Sequence, residues 1–339
     1  MATGKETFRK AIEFQAPDYL PGTIEVDFNF LRDKNAEKLS AIKRLLDAAP
    51  NDMVCCSCWM DQSEARDGVV YKRDEWNVLW QDDGHGMITT YHPMEEGYEH
   101  IGRVHFPDTN DTRRFIRADK QFGEIPGRYK LATVWFTLFE RLWMLRGFNN
   151  MLMDPYLNES DFMALKERIL DINLAMIDQW TARHVDGVFF SDDWGSQKSL
   201  LMNPDDWRKY YKDDYRRMFD RVHKGNAHVW MHLCGNITPI LPDLIDIGLN
   251  VLNPVQPQAM DMEKLAREFG GHLCFNGGVD VQGTMINGST NDVKNEFRRL
   301  VDLFGKYRGG YIAGTSHSIM PETPLDNIIA LLEAVNEYR

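Results

Sequence analysis

From Lys130 onward the chain repeats one pattern: a short apolar run, a turn, then a stretch with helical spacing. The runs are Lys130–Phe136, Val185–Ser191, the segment ending at His232, Val251–Val255, Leu273–Asn276 and Gly310–Gly314. Helical stretches follow them at Thr137–Arg146, at a long segment capped by Ser160 and running to His184, and after Asn203-Pro204. Others run from Pro239 to Ile247, Met260–Phe269, Asn291–Phe304 and Leu325–Tyr338. Strands separated by helices of this length pair in parallel through right-handed crossovers. No glycine-rich phosphate or dinucleotide signature follows any of these runs. The pattern predicts an α/β fold, a (β/α)8 TIM barrel, in one domain over residues 1–339.

The first 129 residues are less regular. Residues 5–15 and 35–49 have helical spacing, and Gly22–Phe30 reads as a strand with Glu25 and Asp27 on one face. Met53–Trp59 reads as a buried strand. Its Cys55-Cys56-x-Cys58 spacing suits packing better than a metal, because adjacent cysteines on a strand face opposite ways. Residues 68–106 change texture and read as an insertion or lid, so the barrel carries an N-terminal helical and hairpin excursion. Within it DGVVYKRDEWNVLWQDDG alternates around turn residues as a hairpin does. His85, His92, His100 and His105 lack tight ligand spacing and read as surface or turn residues.

Composition narrows the function. Apolar content of 43% and charged content of 27% suit a soluble globular protein. No run reaches the roughly 18 apolar residues of a membrane span. A net charge of -12 argues against nucleic acid, which needs a basic face. Five cysteines without disulfide spacing, and an opening MATGKETFRKAIEF without a signal-peptide core, point to a reducing, cytoplasmic setting.

A parallel barrel gathers its strand ends at one face, and that face carries the chemistry. Those ends supply Glu25 and Asp27, then Asp192, Asp193 and Trp194, then His232, Cys234 and Asn236. Asn253, Gln256, Asn276, Asp280, Ser316 and His317 follow. His232 and Cys234 share a strand face and make half a zinc site. Taken alone, the pair better suits a hydrogen-bonded core histidine and a small buried thiol. His272 and Cys274 repeat the same spacing and form a weaker alternative. Trp59, Trp135, Trp143 and Trp194 are available to line a pocket for a flat ligand, or to pack the core.

Three segments carry a resemblance: HLCGNITPILPDLIDIGLNVLNPVQ, FNGGVDVQGTMINGS and GGYIAGTSHSIMPETPLDNIIALLEAV. They resemble the uroporphyrinogen decarboxylase superfamily, and within it the corrinoid-linked methyltransferase branch. The resemblance implies a (β/α)8 barrel, zinc, a corrinoid (cobalamin) carried by a partner protein, a small methylated substrate and a possible homodimer. It implies His232 and Cys234 as zinc ligands, with His317 where the family usually has cysteine. One thiolate and two imidazoles leave a more Lewis-acidic ion than two thiolates do, better matched to an ether oxygen than to a thiol. The implied reaction moves methyl from a methoxylated substrate, methoxy-aromatic ones included, to the cobalt. Glu25 is then the candidate fourth ligand or acid/base, and Asp192 and Asp193 place substrate or proton. Trp194, Gln256, Asn276 and Asn236 are the candidate substrate contacts. The alternatives are methyl transfer from methylcobamide to a thiol, decarboxylation of a tetrapyrrole, and a non-catalytic corrinoid- or ligand-binding barrel. Decarboxylation is disfavoured because GTIEVDFNF replaces an arginine-rich grip, and its acidic groups repel a polycarboxylate.

Overall fold

A computed structural model describes residues 3–31, 35–48, 52–66, 69–82 and 87–339. Its strands are β1 (Met53–Cys56), β2 (Gln62–Arg66), β3 (Val69–Arg73), β4 (Leu79–Asp82), β5 (Met87–Tyr91), β6 (Tyr129–Val134) and β7 (Gly187–Ser191). Then come β8 (His228–His232), β9 (Val251–Val255), β10 (Cys274–Val279) and β11 (Tyr311–Thr315). Seven of them form one parallel sheet in the order β1-β6-β7-β8-β9-β10-β11. Beyond β11, Gly22 makes a parallel bridge with Ala313. Thr23 N–H donates to the Ala313 carbonyl and Ala313 N–H to that of Pro21, both at 2.8 Å. The chain therefore runs through eight positions in the sequential order of a (β/α)8 barrel, as the repeating pattern predicts.

The strand expected over Gly22–Phe30 shrinks to that one contact. Asp27 Oδ1 accepts the Asn29 N–H at 2.8 Å, and Phe28–Leu31 turns into a short helix. A carboxylate that satisfies an amide two residues ahead favours a turn over a ladder. The long helix is Glu159–Thr181, and Ser160 lies inside its first turn, not at its cap. The helix Phe148–Leu157, unforeseen from the sequence, comes directly before it. Asn203 behaves as its type demands: its Oδ1 takes the Asp205 N–H at 2.9 Å, with Pro204 at the first helical position.

The excursion opens before residue 68, with β2 at Gln62–Arg66, and is a four-stranded antiparallel sheet in the order β2-β3-β4-β5. The expected hairpin is its β3–β4 pair. Asp74 sets the turn, its Oδ1 accepting the Trp76 and Val78 N–H groups at 3.0 and 2.8 Å. His85 lies outside the described residues.

Helices cover the sheet through single apolar stripes. Tyr215, Met218, Phe219 and Val222 are buried on the helix Asp213–Lys224, and Val293, Phe297, Leu300 and Phe304 on the helix Thr290–Phe304. Both sets follow helical spacing. The N-terminal helix Gly4–Ile12 is fixed by a capping box between Thr3 and Glu6. Its Phe8, Ala11 and Ile12 join Met53, Tyr129, Leu131, Trp230, Val251, Cys274 and Ile312 in one buried cluster. Tyr129 Oη accepts from Trp230 Nε1 at 3.1 Å and lies 2.9 Å from the Asp186 carbonyl oxygen. His228 joins it, with Nδ1 2.9 Å from Tyr129 Oη and Nε2 3.1 Å from Glu13.

Burial, then the nearby Arg9, lower the His228 pKa to about 4. A histidine kept neutral in the fold but basic when unfolded stabilises the fold above its unfolded pKa of about 6.5. That stabilisation is lost as pH falls from about 6.5 towards 4. Urea titrations across this window are expected to show an acid loss of up to about 3 kcal/mol, absent in His228→Gln.

Candidate metal centre at the barrel mouth

His232 is the last residue of β8, and Cys234 lies two positions on. His317 follows β11. One ligand atom from each of the three lies within 4.8 Å of the other two. The Cys234 sulfur is 3.3 Å from His232 Nε2, and the two imidazole ring centres are 6.0 Å apart. Ligand atoms around a tetrahedral zinc stand roughly 3.3–3.7 Å apart, so closure by about one ångström seats an ion among them. Among the described residues no other cluster of histidine, cysteine and carboxylate side chains meets this distance.

The free nitrogen of His232 is set by a relay of amides. Asn276 donates its NH2 to Thr23 Oγ1 at 2.8 Å and to the Ile312 carbonyl at 3.2 Å. Its Oδ1 therefore receives the Asn253 NH2, at 2.6 Å. That leaves Asn253 Oδ1 to accept from His232 Nδ1 at 2.9 Å. Nδ1 carries the proton, and Nε2 keeps its lone pair on the side of Cys234 and His317. The Trp135 ring meets the His232 ring edge-on with centres 5.7 Å apart.

Asp193 holds the turn after β8: its Oδ1 accepts the Cys234 N–H at 2.8 Å. Burial, and then the Asp193 carboxylate, push the Cys234 thiol up. Burial, then the neighbouring His232, lower His317, with Asp193 opposing. Both groups are thus neutral donors at neutral pH, and a bound cation would displace the thiol proton. Gly195 is a glycine because a Cβ there would lie 2.5 Å from the Cys234 carbonyl oxygen. A cleft of about 400 Å³ opens beside the trio, lined by Cys234, His317, Gln256, Gln258, Asp280 and Ser316.

The other residues expected at the site divide. Gln256 lines the cleft, its Oε1 accepting the Gly235 N–H at 2.6 Å. Asp192 does not reach the cleft. It is fully buried, and it accepts the Leu138, Phe139 and Glu140 N–H groups at 3.1, 2.8 and 2.6 Å, together with the Tyr215 hydroxyl. It anchors the start of the helix Phe139–Arg146. Trp194 is fully buried against Trp207 and Tyr215. Asn276 is 2% exposed and belongs to the relay. Asn236 serves its own turn, its Oδ1 accepting the Thr238 N–H at 3.1 Å. Glu25 is exposed and lines a separate cavity with Leu45, Leu332 and Arg339. It is not grouped with the three ligand atoms. Cys274 is buried among apolar side chains while His272 is exposed, so that pair converges on nothing. Cys56 and Cys58 are buried, as packing roles imply, but Cys55 is exposed and the strand ends at Cys56, so the expected buried strand over Met53–Trp59 holds only in part. Asn253 as the orienter of His232, and Trp135 as its ring neighbour, were present in the sequence only as strand-end polar and aromatic residues.

The uroporphyrinogen decarboxylase (URO-D) family model matches residues 134–338, more than half of the chain. The methylcobamide:CoM methyltransferase MtaA of Methanosarcina barkeri is 29% identical over 138 residues, 41% of this chain and 38% of the relative. A uroporphyrinogen decarboxylase of Pelodictyon phaeoclathratiforme is 23% identical over 180 residues, 51% of this chain and 48% of the relative. The chain thus spans half or less of the length of these curated relatives. A solved methyltransferase from Methanosarcina mazei superposes over 100% of this chain and 99% of its own, with a TM-score of 0.70 at 16% identity, and shares the fold. The chain belongs to the uroporphyrinogen decarboxylase family, and within it resembles the methylcobamide methyltransferase branch.

Proposed function

We propose that the protein is a zinc-dependent, corrinoid-linked methyltransferase that moves a methyl group from a methoxylated substrate to the cobalt of a partner corrinoid protein. The observation that carries this reading is the placement of His232, Cys234 and His317 within 4.8 Å of one another, with the far nitrogen of His232 already engaged by Asn253. When bound by these three, zinc supplies a Lewis acid that favours departure of an oxygen leaving group. The protein's own groups do the rest. The Asn276–Asn253 relay orients His232, Asp193 fixes the Cys234 backbone, and the cleft along Gln256 and Ser316 receives a ligand beside them. One thiolate in place of two is what turns the reading towards ether oxygen.

The test mixes zinc-loaded protein with free cob(I)alamin and a panel of methoxylated compounds, followed by the cobalt spectrum. Cobalt methylation that is abolished by chelation and restored by zinc is the expected result. Undiminished methylation after complete zinc removal would overturn it. A second reading, methyl transfer from methylcobamide to a thiol, is supported by the name of the Methanosarcina barkeri relative. Methylcobalamin that is demethylated by thiols, with no ether accepted as donor, would establish that reading instead.

A further inference from the structure

Two of the three candidate ligands, Cys234 and His317, border the cleft of about 400 Å³, so a molecule that fills it lies against them. The rest of its wall has one character. Gln197, Gln256, Gln258 and Gln282 supply carboxamides, and Ser196 and Ser316 hydroxyls. Among the described residues no lysine, arginine, phenylalanine, tyrosine or tryptophan lines it. Trp59, Trp135, Trp143 and Trp194, which the sequence offers for a flat ligand, all lie outside it. The one carboxylate in the wall is Asp280, 5% exposed. Its Oδ2 accepts the Gln258 NH2 at 2.6 Å and its Oδ1 the Gln282 N–H at 2.9 Å, both neutral donors. Behind it stands a second acid: Glu296 Oε2 accepts the Asp280 N–H at 3.4 Å. Hydrogen bonds thus hold the Asp280 charge, and no cation in the wall cancels it.

We propose that this cleft selects by charge and polarity: it takes a small, uncharged aliphatic methyl ether bearing hydroxyl or amide groups, and Asp280 is the residue that turns anions away. Gln256 spends its oxygen on the Gly235 N–H, which leaves its NH2 for a ligand. Gln258 spends its NH2 on Asp280, which leaves its oxygen. A ligand with both a donor and an acceptor satisfies both amides, whereas a bare hydrocarbon or aryl ring would cover them without partners. With no aromatic wall, such a ring also finds nothing to stack on. An anion meets an uncancelled like charge in a confined, partly dehydrated space, where repulsion is stronger than in bulk water. Asp280 thereby becomes a specificity residue for the metal centre, although it touches none of the three ligand atoms in the hydrogen-bond pattern.

The inference rests on the proposed transfer from an O-methyl substrate, and its test is separable from it. Methoxyacetamide and methoxyacetate share one shape and differ by one charge. Each is titrated into zinc-free full-length protein at neutral pH, without corrinoid, and followed by ligand-detected nuclear magnetic resonance, with anisole as the aromatic control. Methoxyacetamide is expected to saturate the protein at least about tenfold more tightly than methoxyacetate, and more tightly than anisole. Asp280→Asn keeps the shape and removes the charge. Gln282→Lys, at an exposed position of the same wall, supplies the missing cation without disturbing the core. Each is expected to raise methoxyacetate affinity about tenfold and to leave methoxyacetamide nearly unchanged. Glu25→Gln, in the separate cavity, is expected to change neither. Methoxyacetate or anisole binding as tightly as the amide, an amide that does not saturate the protein, or a ratio that neither cleft variant narrows would overturn the assignment. If the amide is preferred as stated and no ether methylates cobalt, the selectivity stands and the proposed reaction fails. If ethers methylate cobalt without regard to charge, the reaction stands and the selectivity fails.

Discussion

Cys234→Ser and His232→Ala are each expected to lower zinc affinity and methyl transfer together, by about 100-fold or more. Outer-shell partners of a metal site alone are worth about 10- to 100-fold, and removal of a donor atom exceeds that. The two readouts fall together because the same atoms serve both. Neither change empties the core: His232 and Cys234 are half-buried at the mouth, above the packed Trp230 and Met231. The midpoint of urea unfolding measured without metal is therefore expected to stay nearly constant. Loss of activity with zinc retained at full affinity would place the chemistry elsewhere.

Asp192 and Asp193 are adjacent in sequence and opposite in expected effect. Asp192→Ala strips four donors of their acceptor: three N–H groups at the start of one helix and the buried Tyr215 hydroxyl. Orphaned buried groups cost about 1–3 kcal/mol each, less where they relax, so a loss of about 3–5 kcal/mol in unfolding free energy is expected. Zinc affinity per folded molecule should hardly move. Asp193→Ala removes one acceptor from the Cys234 N–H at the rim. It is expected to cost about 1 kcal/mol in stability and to disturb zinc affinity and turnover. Urea melts beside zinc titrations of the two variants separate these outcomes, and a matched pattern in both would refute the division of roles.

That division was invisible in the sequence, where Asp192-Asp193 is a single acidic strand end. Period-2 alternation says which side of the strand each faces, but not that a helix start waits on one side. The parallel strands were legible because Val, Ile, Phe and Trp runs buried on both faces have few other uses. His232, Cys234 and His317 were legible through spacing and resemblance together, since the strand register brings the ends of β8 and β11 to one face. Asn253 was not, because an amide at a strand end looks the same whether it orients a ligand or serves a turn. Strands β2 and β5 are hidden in the sequence for another reason. QSEAR and MITTY lack a clean buried face, and Met87 and Ile88 are exposed at 41% and 60%. Glu25 stays away from the trio because the chain leaves the ladder immediately after Thr23 and never presents the alternation that its residues suggest.

The most direct measurement is zinc K-edge X-ray absorption on the purified protein, with metal content determined on the same sample. The expected result is about one zinc per chain with a single sulfur neighbour near 2.3 Å and nitrogen neighbours near 2.0–2.1 Å, the sulfur shell vanishing in Cys234→Ser. A sample that holds no zinc after growth and reconstitution with the metal, or one whose zinc shows no sulfur neighbour, would contradict the centre assigned to His232, Cys234 and His317.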